Sequence, residues 1–125
     1  MNVLIVDDSK IMRSMIVKTL LLSGLPLAEI HQAGNGKEGL EELDRSKIDL
    51  VLTDINMPVL SGIDMVRKLR ANAQMQKLPV VVISSEGSET RIDSLAQLGA
   101  RFLHKPFTPE SLREVVLELT GGNHD

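Results

Sequence analysis

The sequence predicts an α/β fold, a doubly wound parallel sheet whose five strands alternate with five helices. Four short apolar runs each stop at an acidic, hydroxyl or basic residue. They are Asn2–Val6 before Asp7-Asp8, Asp49–Thr53 before Asp54, Pro79–Ile83 before Ser84, and Arg101–His104 before Lys105-Pro106. Such runs, separated by segments of helical period, are typical of parallel strands buried on both faces. Their carboxyl ends meet at one edge of the sheet, where an open α/β sheet binds its ligand.

Length and composition indicate one ordinary globular domain, because the chain has 125 residues, 42% of them hydrophobic and 25% charged. The net charge of −3 argues against direct contact with nucleic acid. The absence of cysteine excludes disulfides and thiolate metal sites and suits a reducing compartment. We find no signal peptide and no apolar run of roughly 18 residues, so we expect a cytoplasmic protein without membrane insertion.

The first helix is predicted from about Lys10 to Leu22, with Ser9 as its cap and Gly24 at its end. Its expected buried stripe consists of Ile11, Met12, Met15, Ile16, Thr19 and Leu20. The second strand, about Ala28 to Ala33, follows Pro26 and carries several polar residues. A polar strand next to a proline is expected at an edge of the sheet.

Three further helices follow the second, third and fourth strands. A short one near Lys37–Arg45 has Leu40 and Leu43 on its apolar face, a third has Ile63, Val66 and Leu69, and a fourth near Ser88–Leu98 has Ile92, Leu95, Ala96 and Leu98. Because its other face is polar, we expect the fourth helix to be the least firmly docked.

The fifth helix begins at Thr108-Pro109 and ends at Gly121-Gly122. A hydroxyl at the cap followed by proline at the first helical position is a strong start signal. Its expected buried residues are Leu112, Val115, Val116 and Leu119.

The polar residues at the strand ends predict a particular kind of ligand. Asp7, Asp8 and Asp54 would repel one another at one edge of the sheet unless a cation lay among them, and Ser84 and Lys105 would then attract an anion. Taken alone, Asp7-Asp8 could equally be acids at a helix N-terminus, which are common there. Asp54 at the same edge favours a divalent metal site instead.

In this order and context, the residues resemble the receiver domain of bacterial two-component response regulators, in the stand-alone form used in chemotaxis. The resemblance covers Val3 to Leu119. It depends on Asp7-Asp8, on Asp54 in Leu-Thr-Asp-Ile-Asn-Met-Pro, on Ser84, and on Lys105-Pro106-Phe107. It implies a flavodoxin-like receiver domain over residues 1–125, with a core of about 2–119, a flexible tail at 120–125, and strand order 2-1-3-4-5.

The resemblance implies that Asp54 accepts a phosphoryl group from a histidine kinase and holds it as an acyl phosphate. The metal would be Mg²⁺, which prefers oxygen ligands and retains several waters. Its ligands would be Asp8 and Asp54, Asp7 directly or through water, and the main-chain carbonyl of Asn56. Positioning and charge neutralisation would supply most of the catalysis, because a carboxylate is a poor nucleophile toward an anionic phosphoryl group.

The same resemblance implies roles for four other side chains. Lys105 would pair with Asp54 and then with the phosphoryl oxygens, and its bond to Pro106 would be cis. Ser84 would move toward the phosphoryl group, although a serine after a strand could equally cap the next helix. Phe102 would rotate inward in the active form, although it could equally be a plain core aromatic.

Asn56 and Glu86 would tune the lifetime of the phosphoryl group by shaping the access of water, although both could equally be solvated loop residues. The three histidines, His31, His104 and His124, show no metal-ligand spacing and are expected to be surface or strand residues.

Other protein classes fit the sequence less well. A haloacid-dehalogenase-type phosphatase needs an acid two residues after its nucleophile, where this chain has Asn56. A flavodoxin-like cofactor protein needs a phosphate-binding loop after the first strand, where Asp7-Asp8 would repel a phosphate. A receiver-like interaction module that no longer takes phosphate is the closer rival, but it has no use for a cluster of mutually repelling acids.

We therefore expect a signalling switch and not an enzyme. The switch would catalyse only its own phosphoryl transfer and autodephosphorylation. Phosphorylation would reshape the surface of the fourth helix, fifth strand and fifth helix. The expected partner is a flagellar motor component or another signalling protein, and the protein would be a monomer or a phosphorylation-dependent dimer. A phosphorelay intermediate or phosphate sink is the alternative.

Overall fold

The computed structural model describes residues 1–55, 57, 59–85 and 89–121. The strands are β1 (Asn2–Val6), β2 (Glu29–Ala33), β3 (Leu50–Asp54), β4 (Val80–Ser84) and β5 (Arg101–His104). The helices are α1 (Lys10–Leu22), α2 (Gly36–Arg45), α3 (Gly62–Ala71), α4 (Glu89–Gln97) and α5 (Pro109–Thr120). All strand pairs are parallel and the order is β2-β1-β3-β4-β5, which confirms the predicted fold class.

Two apolar layers cover the sheet, one on each face. Alternate residues of each strand enter opposite layers, so that Leu4 and Val6 pack toward α2, α3 and α4, whereas Val3 and Ile5 pack toward α1 and α5. Each fully buried aliphatic side chain stabilises the fold by about 1.5–3 kcal/mol relative to an exposed one. The packed sheet therefore holds the residues at the ends of its strands in fixed positions.

The buried face of α1 differs from the prediction. Ile16 and Leu20 are buried, but Ile11 is 76% exposed and Met15 is 54% exposed. At about 100° per residue, Ile11 lies about 140° around the helix from Ile16, so the predicted stripe was too wide for one packed face. Sequence periodicity predicted the apolar stripe of α1 but did not show which side of that stripe packs against the sheet.

The edge strand β2 is joined to α2 through the ring of His31. Its Nδ1 lies 2.8 Å from Oε2 of Glu42 and its Nε2 lies 2.9 Å from Oε1 of Glu29. Both nitrogens can donate to carboxylates only in the imidazolium form. The hydrogen bond with Glu29, and then that with Glu42, raises the pKa of His31, while a hydrogen bond from Arg45 lowers the pKa of Glu42 to about 2.

Helices α2, α3 and α5 begin at the side-chain caps Asn35, Ser61 and Thr108, respectively. In α3, Met65 is buried together with the expected Val66 and Leu69. In α4 only Leu95 of the expected anchors is buried, and Ala96 is exposed, contrary to the prediction. In α2, a side chain at Gly39 would meet Val6 at 3.0 Å and Met65 at 3.2 Å, which explains a glycine inside a helix.

Thr120 is the last residue of α5, and Gly121 caps it with a φ of 64° in the left-handed region. The rest of the expected tail, residues 122–125 with His124, lies outside the described residues. Among the residues described, no helix combines the length and the apolar character needed to cross a membrane.

Candidate functional site

Three acidic side chains meet where β1 and β3 end. Asp7 and Asp8 directly follow β1, and Asp54 is the last residue of β3. The two strands are neighbours, with Val6 opposite Thr53. Carboxylate oxygens of the three residues lie within 4.8 Å of one another. The structure thus brings together the three acids that the sequence placed at one edge of the sheet.

Backbone hydrogen bonds orient these acids. The Asp7 amide donates to the carbonyl of Ala33 (3.1 Å), and its Oδ1 accepts from the amide of Ser9 (2.9 Å). Oδ1 of Asp54 accepts from the amide of Ile55 at 2.8 Å. Each of these two carboxylates therefore has one oxygen that accepts from the backbone, and among the residues that the structure describes the second oxygen accepts no hydrogen bond.

The electrostatics of the cluster favour a bound cation. Asp7 is only 2% exposed, and its burial, together with the charges of Asp54 and Asp8, raises its pKa, whereas the amide of Ser9 and the charge of Lys105 act in the opposite direction. A set of oxygen donors with excess negative charge fits a hard divalent cation such as Mg²⁺. The residues present therefore satisfy the chemical requirement for that metal.

Ser84 and Lys105 flank the acids on the side of β4 and β5. Ser84 is buried at the end of β4, one residue beyond Ile83, which lies opposite Asp54. The amide of Lys105 donates to the carbonyl of Ser84 at 3.0 Å, which fixes the start of the following loop. The peptide bond between Lys105 and Pro106 is cis, as the resemblance implied.

Phe102 lies on β5, half-buried against the apolar layer that contains Leu95 and Ala100. Its ring meets the ring of His104 edge to face, with centroids 5.8 Å apart and planes at 68°. The position agrees with either a core aromatic or a residue that changes its exposure.

Comparison with known proteins identifies the family. A family model described as the response regulator receiver domain matches residues 3–117. The chain belongs to that family. Chemotaxis protein CheY1 of Helicobacter pylori is 35% identical over the full length of both chains. Chemotaxis protein CheY-3 of Vibrio cholerae is 39% identical over 115 residues, which are 91% of this chain and 87% of that protein.

A solved structure agrees with this assignment. The Vibrio cholerae chemotaxis protein CheY4 is 32% identical, with a TM-score of 0.83 over 94% of this chain and 97% of its own. The receiver domain is thus a two-component signalling module homologous to chemotaxis response regulators, and it is not a classical enzyme.

Two predicted site residues of the receiver domain, Asn56 and Glu86, lie outside the described residues. The role of Asn56 as a main-chain metal ligand, and the influence of both residues on phosphoryl lifetime, therefore stay predictions.

Sequence reasoning missed Arg13. Its Nη1 donates to the main-chain oxygen of Asp7 at 2.5 Å, and its Nε donates to Oε1 of Gln32 at 3.1 Å. This side chain of α1 thereby links the ends of β1 and β2. An available signal was its place at the end of the first turn of a helix that begins just after the paired acids, from which a long side chain can reach back.

An apolar groove next to Lys105 was also missed. It has a volume of about 350 Å³ and lies between α1 and the loop after β5; its walls are Met12, Met15, Thr19, Ser85, Lys105, Pro106 and Phe107. The exposed side chain of Met15 is thus part of a concave surface beside the acids.

Proposed function

We propose that this receiver domain is a phosphorylation-activated switch that accepts a phosphoryl group on Asp54 from a phosphohistidine of a histidine kinase. The observation that carries the proposal is the acid cluster, in which Asp54 lies within 4.8 Å of Asp7 and Asp8 at the ligand-binding edge of the sheet. A module that works by contact alone gains nothing from this mutual repulsion.

In the transfer step, the free Oδ of Asp54 attacks phosphorus as the P–N bond to the histidine breaks. The imidazole nitrogen leaves with the bonding electron pair, and the product is an acyl phosphate with a new O–P bond. Asp7, Asp8 and Asp54, with the main-chain carbonyl of Asn56, would hold Mg²⁺, which when bound would supply charge neutralisation for the transferred group. Autodephosphorylation is the attack of water on the same phosphorus, with access shaped by Asn56 and Glu86.

Lys105 and Ser84 would bind the phosphoryl group on Asp54. The ammonium of Lys105 pairs with a phosphoryl oxygen, and the hydroxyl of Ser84 donates to another. Phosphorylation adds about −1.5 to −2 charges and three strong acceptors, so both residues gain a partner that exists in one state only. Phe102 would then rotate inward.

The output would be a contact with another protein. Relatives of this chain are named chemotaxis proteins, so we propose a target such as a flagellar motor component or another signalling protein. It would bind the surface of α4, β5 and α5 and shift the equilibrium by its differential affinity for the phosphorylated state. Whether as monomer or dimer, the phosphorylated form would be the binding form.

The phosphodonor would approach along α1. Ile11 and Met15 are exposed there, and the apolar groove continues to Lys105 at the edge of the acid cluster. A donor that must bring a histidine to Asp54 gains apolar contact area at this surface.

The test is the intact mass of the protein after incubation with a small acyl-phosphate donor, with and without Mg²⁺. We expect the wild type to gain one phosphoryl group only with Mg²⁺. Asp54→Asn should gain none. Asp44→Asn is the matched control, since it removes an exposed acid of α2 and should label like the wild type. Phosphorylation of Asp54→Asn would show that the phosphoryl group is attached at another residue. A wild type that takes up no phosphoryl group from either the small donor or a kinase phosphohistidine would favour the phosphate-independent module.

A further inference from the structure

His104 and Ser84 are neighbours across two adjacent strands. In the register of β4 and β5, Ser84 lies opposite His104 and Val82 lies opposite Phe102. Val82 and Phe102 pack in one apolar layer, whereas Ile83 and Leu103 pack in the other. Because side chains alternate along a strand, Ser84, His104 and Phe102 all project from the same face of the sheet.

The ring of His104 is exposed, yet two contacts define its orientation. Its Nδ1 lies 2.8 Å from the main-chain oxygen of Lys105, so Nδ1 carries the proton of this hydrogen bond. Its ring also meets Phe102 edge to face at 5.8 Å. His104 therefore connects the main chain of a residue at the acid cluster to an aromatic ring on the proposed partner-binding surface.

We infer that His104 is a positioning residue that holds the ring of Phe102 in its present, half-buried place and couples it to the state of the site. This inference rests on the proposed function, because it assigns the connection between Lys105 and Phe102. A shift of the Lys105 main chain changes the acceptor of the Nδ1 hydrogen bond. The imidazole then turns and releases or re-forms its contact with Phe102.

The sequence makes a direct measurement possible. The chain has two phenylalanines and no tryptophan or tyrosine, so fluorine-labelled phenylalanine gives one resonance for Phe102 and one for Phe107. Phe107→Leu assigns the two signals, and a fluorinated reference compound in the sample defines the chemical-shift scale. The variants are His104→Ala, which removes both contacts, and His104→Tyr, which keeps an edge-to-face aromatic without adding a labelled phenylalanine but loses the hydrogen bond from Nδ1. Both change an exposed side chain, so both should fold.

Without phosphate, we expect His104→Ala to change the ratio of Phe102 ring positions about 2- to 10-fold, the factor that an edge-to-face pair contributes. His104→Tyr should keep the wild-type Phe102 resonance. After phosphorylation, Phe102 should move in the wild type and should move less in both variants, because neither retains the bond to Lys105. In the unphosphorylated protein, the Phe107 resonance should be the same in the wild type and in both variants.

An unchanged Phe102 resonance in unphosphorylated His104→Ala would overturn the inference, as would an equal phosphorylation response in all three proteins. The intact mass of the same samples shows separately whether phosphate was taken up. If no sample takes up phosphate from either the small donor or a kinase phosphohistidine, the proposed function fails, and the unphosphorylated spectra still decide whether His104 positions Phe102.

Discussion

Replacement of Asp54 by Asn tests whether repulsion within the acid cluster destabilises the fold, and whether a bound metal removes that destabilisation. The two side chains have nearly the same shape, and the amide oxygen of Asn can still accept from the backbone of Ile55, as Oδ1 of Asp54 does at 2.8 Å. The substitution therefore removes a charge without removing a packing contact.

The size of the effect follows from the geometry. Two unit charges 4.8 Å apart, the limit that encloses these carboxylate oxygens, repel by about 0.9 kcal/mol in bulk water and by about 3.5 kcal/mol at an effective dielectric of 20. Asp54 repels both Asp7 and Asp8, but it also attracts Lys105, and Asp8 is exposed. We therefore expect Asp54→Asn to raise the free energy of unfolding by about 1–2 kcal/mol without metal.

Acid pH should erase this difference. The folded state holds the pKa of Asp7 above its ordinary value of 3.8, partly through the charge of Asp54. A carboxyl group whose pKa is raised by folding lowers the free energy of unfolding at pH values above its folded-state pKa. This destabilisation disappears at pH values below the pKa of the unfolded state. The stability of the wild type should thus fall as pH rises from about 3.8 through the raised pKa of Asp7, and that of Asp54→Asn should fall less.

Magnesium should act in the opposite direction. A ligand at ten times its Kd stabilises a protein by about 1.4 kcal/mol, so saturating Mg²⁺ should bring the wild type level with the mutant or above it. The assay is urea unfolding followed by far-ultraviolet circular dichroism, since the chain has no tryptophan. Asp44→Asn is the control. Equal Mg²⁺ stabilisation of wild type and Asp54→Asn, or a less stable metal-free mutant, would refute the reasoning.

Three further substitutions have defined outcomes. Gly62→Ala would place Cβ 2.2 Å from the main-chain oxygen of Asp54, so it should lower the free energy of unfolding by about 1–3 kcal/mol and weaken phosphoryl uptake, as urea titration and intact mass would show. Val59 is 75% exposed with a φ of 73°, so Val59→Asn should stabilise the protein by about 1 kcal/mol, and an unchanged urea midpoint would contradict this strain. His31 has a raised pKa, so its contribution to stability should be complete below about pH 6.5 and disappear as pH rises through the raised value. His31→Gln should flatten that part of the stability profile, and an identical profile would count against the imidazolium.

The strand ends were predictable because buried parallel strands form short apolar runs, and a polar residue that stops such a run marks the edge of the sheet. Asp7, Asp54, Ser84 and Lys105 all follow this rule. The exposure of Met15 was not predictable in the same way, because helical periodicity defines an apolar stripe but not which side of it the sheet covers.

Local backbone geometry was the other limit. Val59 adopts a left-handed conformation although valine is among the residues that disfavour it most, so no propensity rule indicates it. The contact of Arg13 with the carbonyl of Asp7 depends on a long side chain turning back along its helix, which residue spacing alone does not specify. The cis bond before Pro106 was implied by family resemblance, since only about 5% of such bonds are cis.

Different contacts hold the core of this receiver domain and the acids that would act on phosphate. The apolar layers fix the strands, whereas the acids are oriented by backbone donors and by Gly62, whose amide donates to Ile55 at 2.9 Å. A core substitution such as Leu4→Ala removes packing common to the whole sheet and should cost about 2–5 kcal/mol, yet it leaves the donors to Asp7 and Asp54 in place. A substitution at Gly62 costs less in packing but displaces the main chain of Asp54 itself. Loss of phosphoryl uptake should therefore follow the geometry of this edge and not overall stability.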